Sequence, residues 1–194
     1  MNFLWKRTMS YDDIKDIYEA VIPECDLGNL TSNLITEINP VTNKLELNDT
    51  FLTSYPDIYR AYIATLPESN KIIACGVVGY LKKSDALYID CWTLEKSIRG
   101  NKLSYSGFNS WLNFVKKDFL TQTNRLIIEV YVHNIILWQK IMNISILDID
   151  NDVIKYRTIT PNIIMGCGFE SKTDAIQTYN EWHIFDSNWQ IKSN

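Results

Sequence analysis

Four consecutive segments restrict this chain of 194 residues more than anything else in it. Ala86 to Leu94 is an apolar run, and Arg99-Gly100-Asn101-Lys102-Leu103-Ser104 is a basic, glycine-bearing loop. Leu103, Phe108, Leu112 and Val115 then place an apolar stripe at helical spacing, with Trp111 beside it. Arg125 to His133 is a second apolar run, and Leu126, Ile127, Ile128, Val130 and Val132 predict a strand buried on both faces. Strand, loop, helix, strand is a βαβ unit, whose two strands lie parallel with a right-handed crossover.

Upstream the pattern is different. Ile58 to Leu66 and Lys71 to Leu81 are β-rich runs about the polar turn Pro67-Glu68-Ser69-Asn70, and Lys82-Lys83-Ser84-Asp85 turns the chain into Ala86. Three antiparallel strands in a meander, joined to a parallel partner, predict a mixed sheet. Phe3 to Lys6 reads as an opening strand. Ser10 with Asp12 and Asp13 caps a helix whose Ile14, Ile17, Tyr18 and Val21 form one face and which Pro23 ends. Leu30 to Ile38 reads as a second short helix before a long loop containing Pro40.

Beyond Asn134 a helix is expected from Ile135 to about Met142, followed by an acidic stretch, Leu147 to Asp152. Gly166-Cys167-Gly168-Phe169 reads as a turn and Ala175 to Phe185 as a closing strand. With no internal repeat and no low-complexity linker, residues 1–194 are expected to form a single α+β domain.

Composition excludes several function classes. A chain that is 46% hydrophobic and 22% charged should hold an ordered core. A net charge of −4 without a basic stripe argues against a nucleic-acid partner. Cys25, Cys75, Cys91 and Cys167 are scattered, and Cys75 and Cys91 lie in apolar runs where a reduced thiol serves as a small hydrophobe. With only His133 and His183 and no paired cysteines, no metal site is expected. No P-loop pattern occurs. The N-terminus has no signal-peptide core, and no apolar run approaches the roughly 20 residues of a membrane span, so no membrane partner and a cytoplasmic location are expected.

The loop at Arg99 carries the chemistry. Backbone N–H groups and the dipole of a helix N-terminus, reached through a basic turn with a glycine, can hold a pyrophosphate. That points to a nucleotide-containing cofactor.

The order of elements and motifs resembles the GCN5-related N-acetyltransferase (GNAT) superfamily over nearly the whole chain. Trp5-Lys6-Arg7-Thr8 with Asp12-Asp13-Ile14 resembles the family's opening strand and first helix. Arg99 to Ser104 is similar to its pyrophosphate motif, Arg/Gln-x-x-Gly-x-Gly/Ala, with Lys102 in place of the central Gly and Ser104 in place of the last. Leu94 stands where the strand before that motif ends. Ile128-Glu129-Val130 followed by Asn134 resembles the family's fifth strand and the Asn after it, and Gly168-Phe169-Glu170 the Gly-Phe after the last helix. Between Asn134 and Gly168 the chain is longer than the family usually is.

The resemblance implies a mixed α/β fold: a central, mostly antiparallel sheet of about seven strands flanked by helices. It implies acetyl-CoA as acyl donor co-substrate and an amine-bearing acceptor, a small molecule or a protein. Arg99, Gly100, Asn101, Lys102, Leu103 and Ser104 would hold the pyrophosphate, and Asn134 would lie near the pantetheine or the departing thiol. A backbone N–H in Trp92, Thr93 or Leu94 would meet the acyl carbonyl.

Acyl transfer needs a base for the ammonium, a donor for the oxyanion and an acid for the thiolate. Asp90 and Glu129, acidic groups among apolar neighbours on the two central strands, are candidates for the base, as is His133 at a strand end. The family's acid, a Tyr on the last helix four residues before the Gly-Phe, falls on Ile164, which leaves Tyr156 and Tyr131 as substitutes. A Cys91/His133 nucleophile is disfavoured by the apolar run around Cys91. Trp182 and Trp189 could line a pocket or join two copies in a homodimer, with plain packing preferred. Lys102 and Ile164 also point to one alternative, a catalytically silent module; a second, an enzyme whose donor is an acyl carrier protein, would need a basic docking patch that the sequence does not show.

Overall fold

The computed structural model describes residues 2–9, 36–38, 45–47, 57–68, 70–99, 103–131, 134–142, 145–146 and 162–181. The strands are β1 (Leu4–Thr8), β2 (Thr36–Ile38), β3 (Leu45–Leu47), β4 (Tyr59–Thr65), β5 (Ile72–Leu81), β6 (Ala86–Leu94), β7 (Leu126–Tyr131), β8 (Ser145–Ile146) and β9 (Asn162–Cys167). Helix α1 (Leu103–Phe119) joins β6 to β7 and α2 (Ile135–Met142) follows β7. Residues 172–181 form a further helix, α3.

Among the described residues, seven strands make one sheet in the order β1-β4-β5-β6-β7-β9-β8, and β2 and β3 form a separate pair. Within the large sheet β6 and β7 run parallel and the other neighbours run antiparallel. The expected meander and βαβ unit are both present.

Helix α1 packs on one face of the sheet because Phe108, Trp111, Val115 and Phe119 recur at three and four residues and are buried. Trp111 is the centre of this layer rather than a neighbour of the stripe: it is fully buried, with Phe108 at 5.6 Å and Trp5 at 6.5 Å between ring centroids. Burial of each such side chain contributes about 1.5–3 kcal/mol. The far end of α1 is tied to β4, where Arg60 Nη1 and the Tyr62 hydroxyl both donate to Asp118 Oδ2, at 2.9 and 2.7 Å. Burial first, and then the Asp118 carboxylate, push the Tyr62 phenol far above its ordinary value, so it stays a donor.

Helix α3 packs on the opposite face. Leu87, Ile89 and Ile128 join the core beneath Trp111, while Tyr88 and Glu129, their neighbours along the strands, meet Tyr179 of α3.

Three expectations are corrected. The stretch from Ala175 is helix, not a closing strand. Ser171 caps it by accepting the Asp174 N–H on Oγ at 3.1 Å, and the buried Ala175, Thr178 and Tyr179 follow helical spacing. Residues 36–38, the end of the expected second helix, are β2, paired with β3 through Ile38–Leu45, Glu37–Glu46 and Thr36–Leu47. The β-branched Thr36 and Ile38 suit a strand, and Pro40 cannot continue a helix. Gly166 and Cys167 finish β9, and the turn begins at Gly168, whose φ of 76° suits a glycine. The Gly-Phe pair therefore follows a strand, and Ile164 lies in that strand. The first helix at residues 10–21 and the acidic stretch at 147–152 lie outside the described residues.

Candidate active site

The parallel ladder between β6 and β7 is short. It joins Leu87 to Leu126, Tyr88 to Ile127 and Ile89 to Ile128, although β6 continues to Leu94 and β7 to Tyr131. The cause lies on the other side of β6. Val78 of β5 pairs with Ile89 and Val77 with Cys91, so Asp90 is the extra residue of a β-bulge. A bulge bends its strand and reverses the face that later residues address. Without it Trp92 would share a face with Tyr88, against α3. With it, Trp92 turns to the α1 face and meets Phe108 at 5.5 Å and Trp138 of α2 at 6.4 Å, both edge-on. The Trp92 indole N–H is buried and has no hydrogen-bond partner among the described residues.

Asp90 and Glu129 are the first residues past the last pair, one on each strand. Both oxygens of Asp90 are shielded from solvent. Glu129 is half-buried, and its Oε2 accepts a hydrogen bond from the Tyr179 hydroxyl at 3.0 Å. Because β6 and β7 are parallel, their C-terminal ends lie together, and the helices that follow them start at that end of the sheet. A ligand crevice in a parallel pair forms at this location, where the helix dipoles favour an anion.

The connection from β6 to α1 is held at its start. The Glu95 N–H donates to Ile73 O at 2.8 Å, and the Glu95 carboxylate accepts from Lys71 Nζ and Ser97 Oγ, each at 2.7 Å. The hydrogen bond from Lys71 first, and that from Ser97 next, lower the Glu95 carboxyl below its ordinary value. Arg99 folds back on the strand, its Nε–H donating to Leu94 O at 2.9 Å.

Of the expected site residues, Asp90, Trp92, Thr93 and Leu94 lie on β6 past the ladder, and Glu129 lies opposite them on β7. Arg99 closes the turn after β6, Leu103 and Ser104 open α1, and Asn134 directly precedes α2. Tyr131 is the last residue of β7. Gly100, Asn101, Lys102, His133 and Tyr156 lie outside the described residues, as do Trp182 and Trp189. The helix after β7 carries Trp138 and no tyrosine. Cys91 is half-buried and forms no disulfide with another described cysteine.

Tyr179 and Tyr88 were not among the expected residues. Their rings lie 6.4 Å apart beside Glu129, and the signal that places Tyr179 there is the cap Ser171-Lys172-Thr173-Asp174.

No protein-family profile and no curated protein match the chain by sequence. Solved structures do match. A Bacillus subtilis acetyltransferase in complex with CoA superposes with a TM-score of 0.53 at 10% identity, over 87% of this chain and 99% of that one. A Desulfovibrio desulfuricans protein assigned as a GNAT-family acetyltransferase gives 0.52 at 12% identity, over 86% and 99%. The fold is that of the GNAT acetyltransferases. A point mutant of a Vibrio cholerae spermidine N-acetyltransferase shares this GNAT fold with a TM-score of 0.56 at 8% identity, over 90% of this chain and 96% of that one.

Proposed function

We propose that this chain is an acyl-CoA-dependent N-acyltransferase that moves an acetyl group from acetyl-CoA to a primary amine. The observation that carries the reading is the parting of β6 and β7 directly after Ile89 and Ile128, with a carboxylate on each side and two helix starts at the same end. The CoA in the Bacillus subtilis structure supports the donor, and the spermidine enzyme supports an amine acceptor.

In this reading the pyrophosphate lies on the start of α1, held by Arg99, Leu103 and Ser104 with residues 100–102, and the pantetheine enters the opening beside Asn134. Glu129 or Asp90 takes a proton from the acceptor ammonium, directly or through water. The neutral amine attacks the thioester carbonyl carbon, and a backbone N–H of Trp92, Thr93 or Leu94 meets the oxyanion. The C–S bond then breaks, the nitrogen loses its second proton, and the CoA thiolate gains one. His133 is a further candidate for the base, and Tyr156 for the acid that protonates the thiolate.

Thiol release from acetyl-CoA, followed with spermidine, an amino sugar and a free peptide N-terminus as acceptors, tests the reading. Amine-dependent release supports it. Ile164, a residue with no proton to give where the resemblance puts the acid, favours a second reading, a CoA-binding module without catalysis, which predicts CoA binding and no release with any amine.

A further inference from the structure

We infer that Tyr179 is a positioning residue of the acyl-transfer site, its hydroxyl holding the Glu129 carboxylate where β6 and β7 part. The inference rests on the acyltransferase reading and gives α3 a part in the active site as well as in the core.

The hydroxyl is costly where it stands unless it has a purpose. Tyr179 is 2% exposed, and a phenylalanine would fill the same space against Tyr88 without burying a polar group. The hydroxyl donates to a half-buried carboxylate at the first position past the parallel ladder. Around that carboxylate, Ile164 of β9 is the register partner of Glu129, Tyr88 lies against the Tyr179 ring, and Asp90 is the first residue past the ladder on β6.

The donor is also rigid. Helix α3 is capped by Ser171, pinned through Asp174 to Arg125 and through Glu181 to Ser84, residues that precede β7 and β6 respectively. Arg125 in turn rests on the Phe169 ring at 4.7 Å and donates to Ser84 O at 2.7 Å. A tyrosine on such a helix has two side-chain torsions and a buried ring, so the position of its oxygen is fixed. A phenol donates one hydrogen, so it orients one oxygen of a carboxylate that has two. Holding a base in one orientation raises the fraction of encounters that are productive.

The test is a double-mutant cycle of Tyr179→Phe and Glu129→Gln, read as kcat and as KM for acetyl-CoA with whichever of the three amines the wild type accepts. Thermal midpoints serve as the folding control. Tyr179→Phe keeps the ring and is expected to fold, to leave KM for acetyl-CoA unchanged and to lower kcat about tenfold. In the Glu129→Gln background the same substitution is expected to have no further effect on kcat, because it acts through the missing carboxylate. A kcat within about twofold of wild type, or an equal loss in both backgrounds, overturns the inference. A wild type that releases no thiol with any amine takes away the acyltransferase reading and the inference with it, a result distinct from an active enzyme indifferent to Tyr179.

Discussion

The indole of Trp111 occupies the space that a side chain on Gly76 would fill: a Cβ there would lie 2.5 Å from the ring. Trp111 is fully buried between Trp5 and Phe108, so it has nowhere to retreat. Gly76 is also the register partner of Trp92, so the contact sets how closely α1 approaches the strand that leads to the site. Gly76→Ala is therefore expected to cost about 1–3 kcal/mol. At roughly 2–4 °C per kcal/mol for this size, calorimetry should show a clear fall in midpoint. An unchanged midpoint would mean that α1 does not lie where it is described.

The opposite sign is expected at Leu120. The Thr121 N–H bonds Lys116 O and the Leu120 N–H bonds Lys117 O, a Schellman ending to α1 with Leu120 in the left-handed position at φ 57°. Leu120 is 92% exposed, so its side chain returns nothing for that strain. Leu120→Gly is expected to stabilise the protein by about 0.5–1 kcal/mol, after the unfolded-state entropy of glycine is counted. Urea unfolding measures it, and a loss of stability would contradict the described helix end.

The Lys71–Glu95 pair gives a pH signature. The folded Glu95 carboxyl lies below its ordinary value of 4.5, so the folded protein binds fewer protons than the unfolded chain between the two values. Its contribution is present above 4.5 and is lost as the pH falls through the folded value. The pair is largely exposed, with Lys71 at 64%, so Glu95→Gln should cost at most about 1 kcal/mol at neutral pH. The gap between wild type and variant should close in acid. A gap constant from neutral pH into acid would rule out the ion pair as its source.

Arg99→Glu tests the donor loop. The substitution reverses a charge beside the start of α1 and removes the hydrogen bond to Leu94 O. Charge-assisted bonds to phosphate are worth about 1.5–3 kcal/mol, so calorimetric titration should show acetyl-CoA affinity falling tenfold or more. Equal affinity in variant and wild type would place the donor elsewhere.

Much of this architecture was legible before the structure. The runs from residue 58 to residue 142 each show one clear period between turn signals, and β6 and α2 begin and end at the expected residues. Helix α3 was obscured by Ile176, Thr178 and Tyr179, whose β-branched and aromatic side chains favour strands, and the cap at Ser171 outweighs them only in the folded context. Asp90 and Glu129 could be singled out as acids within apolar runs. The bulge that makes Asp90 the extra residue could not, because it exists only in the register with Val77 and Val78. The contact between Glu129 and Tyr179 spans 50 residues and requires α3 to be a helix on the face opposite α1.

Thermal unfolding with acetyl-CoA, with CoA and ATP as controls, tests the central claim most directly. Ligand at one hundred times its dissociation constant stabilises a folded protein by about 2.7 kcal/mol. A donor site where β6 and β7 part predicts a rise of several degrees with acetyl-CoA and with CoA, and none with ATP. No rise with either CoA species would contradict the donor site and the acyltransferase reading built on it.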